Sequence, residues 1–118
     1  MRSRLKSFVY AFRGIVQLFV TQPNARIHAV AAVGVVVAGF GFRVSAIEWC
    51  LLVLSMGAVL GAEAMNSAVE TLADEVSEQR RERIGLAKDL AAGAVLLVSI
   101  GAALVGVIIF GRYLWFSS

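Results

Sequence analysis

Leu90-Ala-Ala-Gly-Ala-Val-Leu-Leu-Val-Ser-Ile-Gly-Ala-Ala-Leu-Val-Gly-Val-Ile-Ile-Phe110 carries no charge and a single hydroxyl, Ser99. A helix needs about 20 such residues to cross the hydrocarbon core of a bilayer, so the stretch predicts a transmembrane helix over 90–110. Two further apolar runs precede it. One covers about 27–42 and, being short, is expected to borrow 24–26 and 44–46 at its ends; the other covers about 47–65. Composition agrees, because 59% of the 118 residues are apolar and 16% charged, with a mean hydropathy of +0.82. A soluble domain has roughly 45–50% apolar and about 25% charged residues. That excess excludes a disordered tail and argues against an ordinary soluble domain. One proline and one cysteine, Cys50, exclude a disulfide scaffold and a cysteine-based zinc site. The length allows one domain, 1–118.

Before the first span, residues 3–20 place Phe8, Phe12, Ile15 and Phe19 at helical spacing, with basic residues around them. This pattern predicts an amphipathic surface helix lying in the membrane interface. Thr21-Gln22-Pro23-Asn24 breaks it, since a proline biases the preceding residue away from helical angles and suits the first position of a new helix. The expected fold is therefore an all-α membrane protein with one surface helix and three spans. Three slim helices enclose little interior, so a homo-oligomer is expected to shelter polar groups at membrane depth.

The net charge of +3 would suit nucleic acid, anionic lipid or a phosphorylated substrate. Position decides between them. Arg2, Arg4, Lys6 and Arg13 precede the first span, and Arg80, Arg81, Arg83 and Lys88 precede the last, while Arg43 stands alone between the first two. By the positive-inside rule the N-terminus and 74–89 face the cytoplasm. Nucleic acid is not an expected partner. Trp49, Tyr113 and Trp115 fall at the opposite interface, where aromatic belts form. The arginine cluster reads as a solvated turn, and His28 and Cys50 as packing residues.

Chemistry concentrates in Glu63, Asn66, Glu70 and Asp74, whose spacings of three, four and four stack them on one helix face. An ionisable group at the edge of a span is costly and rarely lacks a role. Lys88 and Asp89 flank the start of the last span at the same membrane surface. Carboxylates to accept a hydroxyl proton and hold Mg²⁺, an amide, and a cation for phosphates together suit phosphoryl transfer. No P-loop, kinase glycine loop or HExxH is present.

Glu63-Ala-Met-Asn66-Ser-Ala-Val-Glu70-Thr-Leu-Ala-Asp74, followed by Ala87-Lys88-Asp89 and a small-residue run, resembles the signature of the small bacterial integral-membrane diacylglycerol and undecaprenol kinases. The basic start with Tyr10-Ala-Phe-Arg13-Gly14-Ile and the three spans extend that resemblance over nearly the whole chain. It implies a homotrimeric lipid kinase of the bacterial inner membrane, with active sites shared between protomers at the cytoplasmic surface. Its substrates would be ATP, with Mg²⁺, and a membrane lipid alcohol, giving phosphatidic acid from diacylglycerol or undecaprenyl phosphate from undecaprenol. By position, Glu63 would be the general base and Asn66 its polar support. Glu70 would be a Mg²⁺ ligand, and Asp74, Lys88, Asp89 and Tyr10 would contact or organise the nucleotide.

The family's other metal-binding glutamate falls at Gln22, and Arg81 stands where a histidine is often found. Asn24-Ala-Arg26-Ile27-His28 and Gly39-Phe-Gly41-Phe are closer to the Gram-positive, undecaprenol-preferring branch. Gln22 also leaves open a catalytically impaired member acting as a membrane scaffold or lipid-binding subunit. A proton-relaying transporter subunit built on Glu63 is disfavoured, since no further acid lies deep within the spans.

Overall fold

The computed structural model describes residues 2–77, 79 and 81–116; Arg80, from the basic cluster, lies outside them. Four helices account for nearly all of these residues: α1 (Arg2–Thr21), α2 (Pro23–Phe42), α3 (Ala46–Val76) and α4 (Glu82–Phe116). No strand occurs among the described residues. The last three helices are each long and apolar enough to cross a membrane. At 1.5 Å per residue the 31 residues of α3 extend about 46 Å and the 35 of α4 about 52 Å. Both outrun a hydrocarbon core of about 30 Å. The apolar runs therefore continue without a break into polar helix, and that continuation carries the acidic face of α3 out of the apolar layer.

Between α1 and α2 the break is a single residue. Gln22 is extended (φ −111°, ψ 108°), and Pro23 opens the next helix. The first span takes in 24–26 as expected, but 44–46 do not join it. Arg43 adopts the left-handed conformation (φ 55°, ψ 52°), with its N–H on the Phe40 carbonyl and that of Val44 on the Gly39 carbonyl. This is the Schellman pattern, which ends a helix by satisfying its last carbonyls. Val44, the residue just beyond it, is buried with Leu52 and Ile109. Ser45 then caps α3 reciprocally. Its Oγ accepts from the Glu48 N–H at 3.2 Å, and the Glu48 carboxylate accepts from the Ser45 N–H at 2.9 Å. The same carboxylate oxygen accepts from the Tyr113 hydroxyl, which ties the end of α4 to the start of α3.

The best-packed part of the chain is thus the α2–α3 hairpin end, where Val35, Phe42, Trp49, Val105 and Phe110 surround the buried cluster. Two of the belt aromatics serve this packing. Tyr113 reaches Glu48, and the Trp49 ring lies 4.9 Å from that of Phe40 and across Gly39. A Cβ at Gly39 would meet the Trp49 ring at 2.5–3.0 Å, whereas one at Gly41 would meet nothing within 4 Å. Gly39→Ala is therefore expected to destabilise the detergent-solubilised protein by about 1–2 kcal/mol, overpacking outweighing the gain in helix propensity. Gly41→Ala should be neutral or stabilising. Equal thermal midpoints for the two variants would contradict this packing.

Elsewhere the single chain buries little. Its extents are 55 × 41 × 21 Å, and no large side chain among the described residues is wholly enclosed. Gly57 and Gly61 meet no neighbour within the chain. The end away from the hairpin is where α1 packs on α2 and α3, with Leu18 buried.

Candidate functional site

Counting along α3 from Ala46, Glu63 lies about 26 Å from the hairpin end. Counting back along α2 from Phe42, His28 lies about 21 Å from the same end. The two helices run antiparallel, so the residues meet. His28 Nε2 stands 3.7 Å from Glu63 Oε1, with the carboxylate side chain 5% exposed and the imidazole 29% exposed. This is an ion-pair distance, longer than a formed N–H···O hydrogen bond. Glu63 is the more deeply buried of the two buried acids among the described residues; the other, Glu48, belongs to the hairpin end.

One turn further along α3, Asn66 is half-buried, and its Oδ1 has no hydrogen-bond partner in the chain. The neighbouring Ser67 Oγ is also buried without a partner. Unpaired buried oxygens are uncommon, and these two lie side by side on the helix that carries Glu63. Glu70 follows, exposed, and then Asp74, whose Oδ1 accepts from Lys88 Nζ at 2.6 Å. That ion pair links the end of α3 to the first turns of α4. An exposed pair contributes about 0–1 kcal/mol to stability, so its main effect is to hold a half-buried ammonium at the surface. Asp89 lies on α4 beside a shallow depression lined with Arg81, Glu82, Gly85 and Leu86.

The stacked face of α3 and Lys88 are therefore brought together within one chain. Tyr10 and Gln22 are placed differently. Tyr10 is exposed on α1, with the Arg13 guanidinium 5.8 Å from its ring centre. Gln22, half-buried, lines a groove of about 690 Å³ between α1 and α3 with Gly14, Gln17, Ser67, Thr71 and Glu75. The groove borders the acidic face rather than containing Glu63. Ser67 and Thr71 carry no role in the sequence reading, and His28, read there as a packing residue, instead stands beside Glu63, its depth along an antiparallel pair being the signal that locates it.

The donors available to a metal are hard oxygens: the exposed Glu70 carboxylate, the orphaned Asn66 Oδ1 and the Gln22 amide oxygen. Among the described residues no three His, Cys, Asp or Glu side chains cluster as a metal cage. That donor set fits Mg²⁺, which prefers one or two carboxylates completed by substrate phosphates and water, and does not fit zinc or a soft metal.

Residues 9–110 match the model of the family described as prokaryotic diacylglycerol kinase. An undecaprenol kinase of Bacillus subtilis is 37% identical over 105 residues, covering 89% of this chain and 85% of that one. A diacylglycerol kinase of Synechocystis is 41% identical over 103 residues, covering 86% of this chain but 59% of the longer relative. The diacylglycerol kinase of Escherichia coli is 32% identical over 111 residues, covering 94% and 88% of the two chains. A match through all three apolar helices and the acidic face of α3 is more than a shared hydrophobic pattern, and the chain belongs to the prokaryotic diacylglycerol kinase family of membrane lipid kinases.

Proposed function

We propose that the protein transfers the γ-phosphoryl group of Mg·ATP to the hydroxyl of a membrane lipid alcohol at the cytoplasmic face of the bacterial inner membrane. The observation that carries this reading is the buried Glu63 carboxylate at the edge of the apolar layer, in line with Asn66, Glu70 and the Asp74–Lys88 pair. A lipid alcohol presents its hydroxyl at that depth, and ATP approaches from the water beyond it. Glu63 accepts the hydroxyl proton as the lipid oxygen bonds to the γ-phosphorus. The bond from that phosphorus to the bridging oxygen breaks, ADP leaves, and the proton remains on Glu63.

Lys88, held by Asp74, faces the phosphates, and Asp89 and Tyr10 help to order the nucleotide. Glu70 and Gln22 would hold Mg²⁺, and Asn66 supports the polar line between them and Glu63. When bound, the ion offsets phosphate charge as the transfer proceeds. A homotrimer would cover the exposed apolar faces and let neighbouring protomers share sites. Undecaprenol is the favoured alcohol, supported by 37% identity to the Bacillus subtilis undecaprenol kinase against 32% to the Escherichia coli diacylglycerol kinase at similar coverage. Both alcohols offer one hydroxyl to the same acidic face, so the tails rather than the chemistry separate them.

The test is purified protein in mixed micelles with Mg·ATP and, separately, undecaprenol and diacylglycerol. Transfer to undecaprenol with a several-fold higher kcat/KM is expected. Transfer to diacylglycerol alone would overturn the substrate assignment, and transfer to neither would overturn the kinase reading.

Gln22 favours a second reading, a catalytically impaired scaffold, because an amide brings an oxygen to the metal without charge. With Glu70 and the phosphates in place, the expected outcome is a working kinase of weakened metal affinity. Gln22→Glu should then lower the Mg²⁺ concentration for half-maximal rate by roughly 3–10-fold and leave lipid preference alone, since charge count tunes such affinities. An unchanged Mg²⁺ dependence would remove Gln22 from the metal site. Activity that appears only in Gln22→Glu would favour the scaffold.

A further inference from the structure

Glu63 is a buried carboxylate, and His28, from a different helix, stands within ion-pair distance of it. His28 otherwise faces an apolar cavity of about 200 Å³ between α2, α3 and α4, lined by residues such as Ala32, Val35, Leu52, Met56 and Ala103. The lining adds one hydroxyl, that of Ser55, and the Glu63 carboxylate is the charged acceptor beside the ring. A carboxylate with two oxygens and one fixed donor keeps the other oxygen free and aimed.

From this juxtaposition we infer that His28 is a positioning residue for Glu63, its Nε2–H holding one carboxylate oxygen so that the other faces the lipid hydroxyl. The inference rests on the lipid-kinase reading. The 3.7 Å separation closes to a hydrogen bond with a small rotation of either side chain, as catalytic contacts commonly do once substrate is bound. Misaiming a reacting group by about 1 Å can cost up to 10²-fold in rate. The loss on removing this support should fall in kcat, because His28 lies on the membrane side of Glu63 and away from Lys88.

Three variants and one spectrum test this. His28→Ala should lower kcat about 10-fold or more while KM for ATP stays within about twofold. His28→Gln, whose amide nitrogen reaches the position of Nε2, should recover most of the rate. In a Glu63→Asp background the shorter carboxylate no longer meets the imidazole, so adding His28→Ala should cost less than about threefold. An equal loss in both backgrounds, or no recovery with Gln, would reduce His28 to a packing residue and overturn the inference.

The chain has one histidine, so its imidazole ¹⁵N signals need no assignment and report the contact without turnover. Glu63→Gln should shift the Nε2 signal, and an unshifted signal would overturn the contact even if a variant misfolds. Wild-type protein that transfers no phosphate would overturn the function and this role with it, whatever the spectrum. An active wild type with an unaffected His28→Ala would overturn this inference alone.

Discussion

Glu63→Gln is expected to lower kcat by about 10²-fold or more with little change in KM for ATP. The substitution keeps the shape of a side chain that is 5% exposed and removes only its ability to accept a proton. Stability should move the other way. Burying an amide costs less than burying a carboxylate, so the thermal midpoint in detergent should hold or rise as the rate falls. That pairing separates a lost base from a damaged fold. Turnover near that of wild type would remove Glu63 from the chemistry and leave it a buried structural carboxylate.

The second large effect is expected at Lys88. Its ammonium is held 2.6 Å from Asp74 and is only half-exposed, so it is a localised charge rather than a mobile one. Removing one preorganised group that stabilises transferring charge costs about 10²–10³-fold in comparable sites. Lys88→Met keeps the length of the stem and its packing, and should lower kcat/KM for ATP by about 10²-fold. Asp74→Asn, which keeps the ammonium but weakens its anchor, should cost less. The ion pair is exposed, so neither change should alter stability by more than about 1 kcal/mol. Lys88→Met with wild-type kcat/KM would show that the lysine merely flanks the last helix.

Helix type, number and approximate position were legible in the sequence because a bilayer imposes one strong condition. Backbone groups must pair within the segment, and side chains must be apolar over about 20 residues. The run ending at Phe110 meets it without help. A break within Thr21–Asn24 was legible too, since Pro23 restricts the residue before it, although its narrowing to Gln22 alone was not. The other end of α2 was not. Nothing in Phe42-Arg43-Val44-Ser45 requires an arginine in the left-handed conformation, and it takes that form because Val44 gains burial against Leu52 and Ile109. Likewise only the approach of Tyr113, 65 residues away, shows what holds the Glu48 carboxylate from another helix.

The candidate site divides along the same line. Spacings of three and four determined that Glu63, Asn66, Glu70 and Asp74 share a face, because one helix geometry relates them. Relations between helices required the fold. The tertiary structure decided that Asp74 meets Lys88, that His28 meets Glu63, and that Gln22 borders a groove with Ser67 and Thr71. Periodicity within a helix is a local property of the chain. Register between two helices depends on where the turn between them ends and on which side chains pack there. For α2 and α3 that register is set at the far end, by Arg43, Val44 and Trp49 lying across Gly39, and His28 and Glu63 are brought level by it.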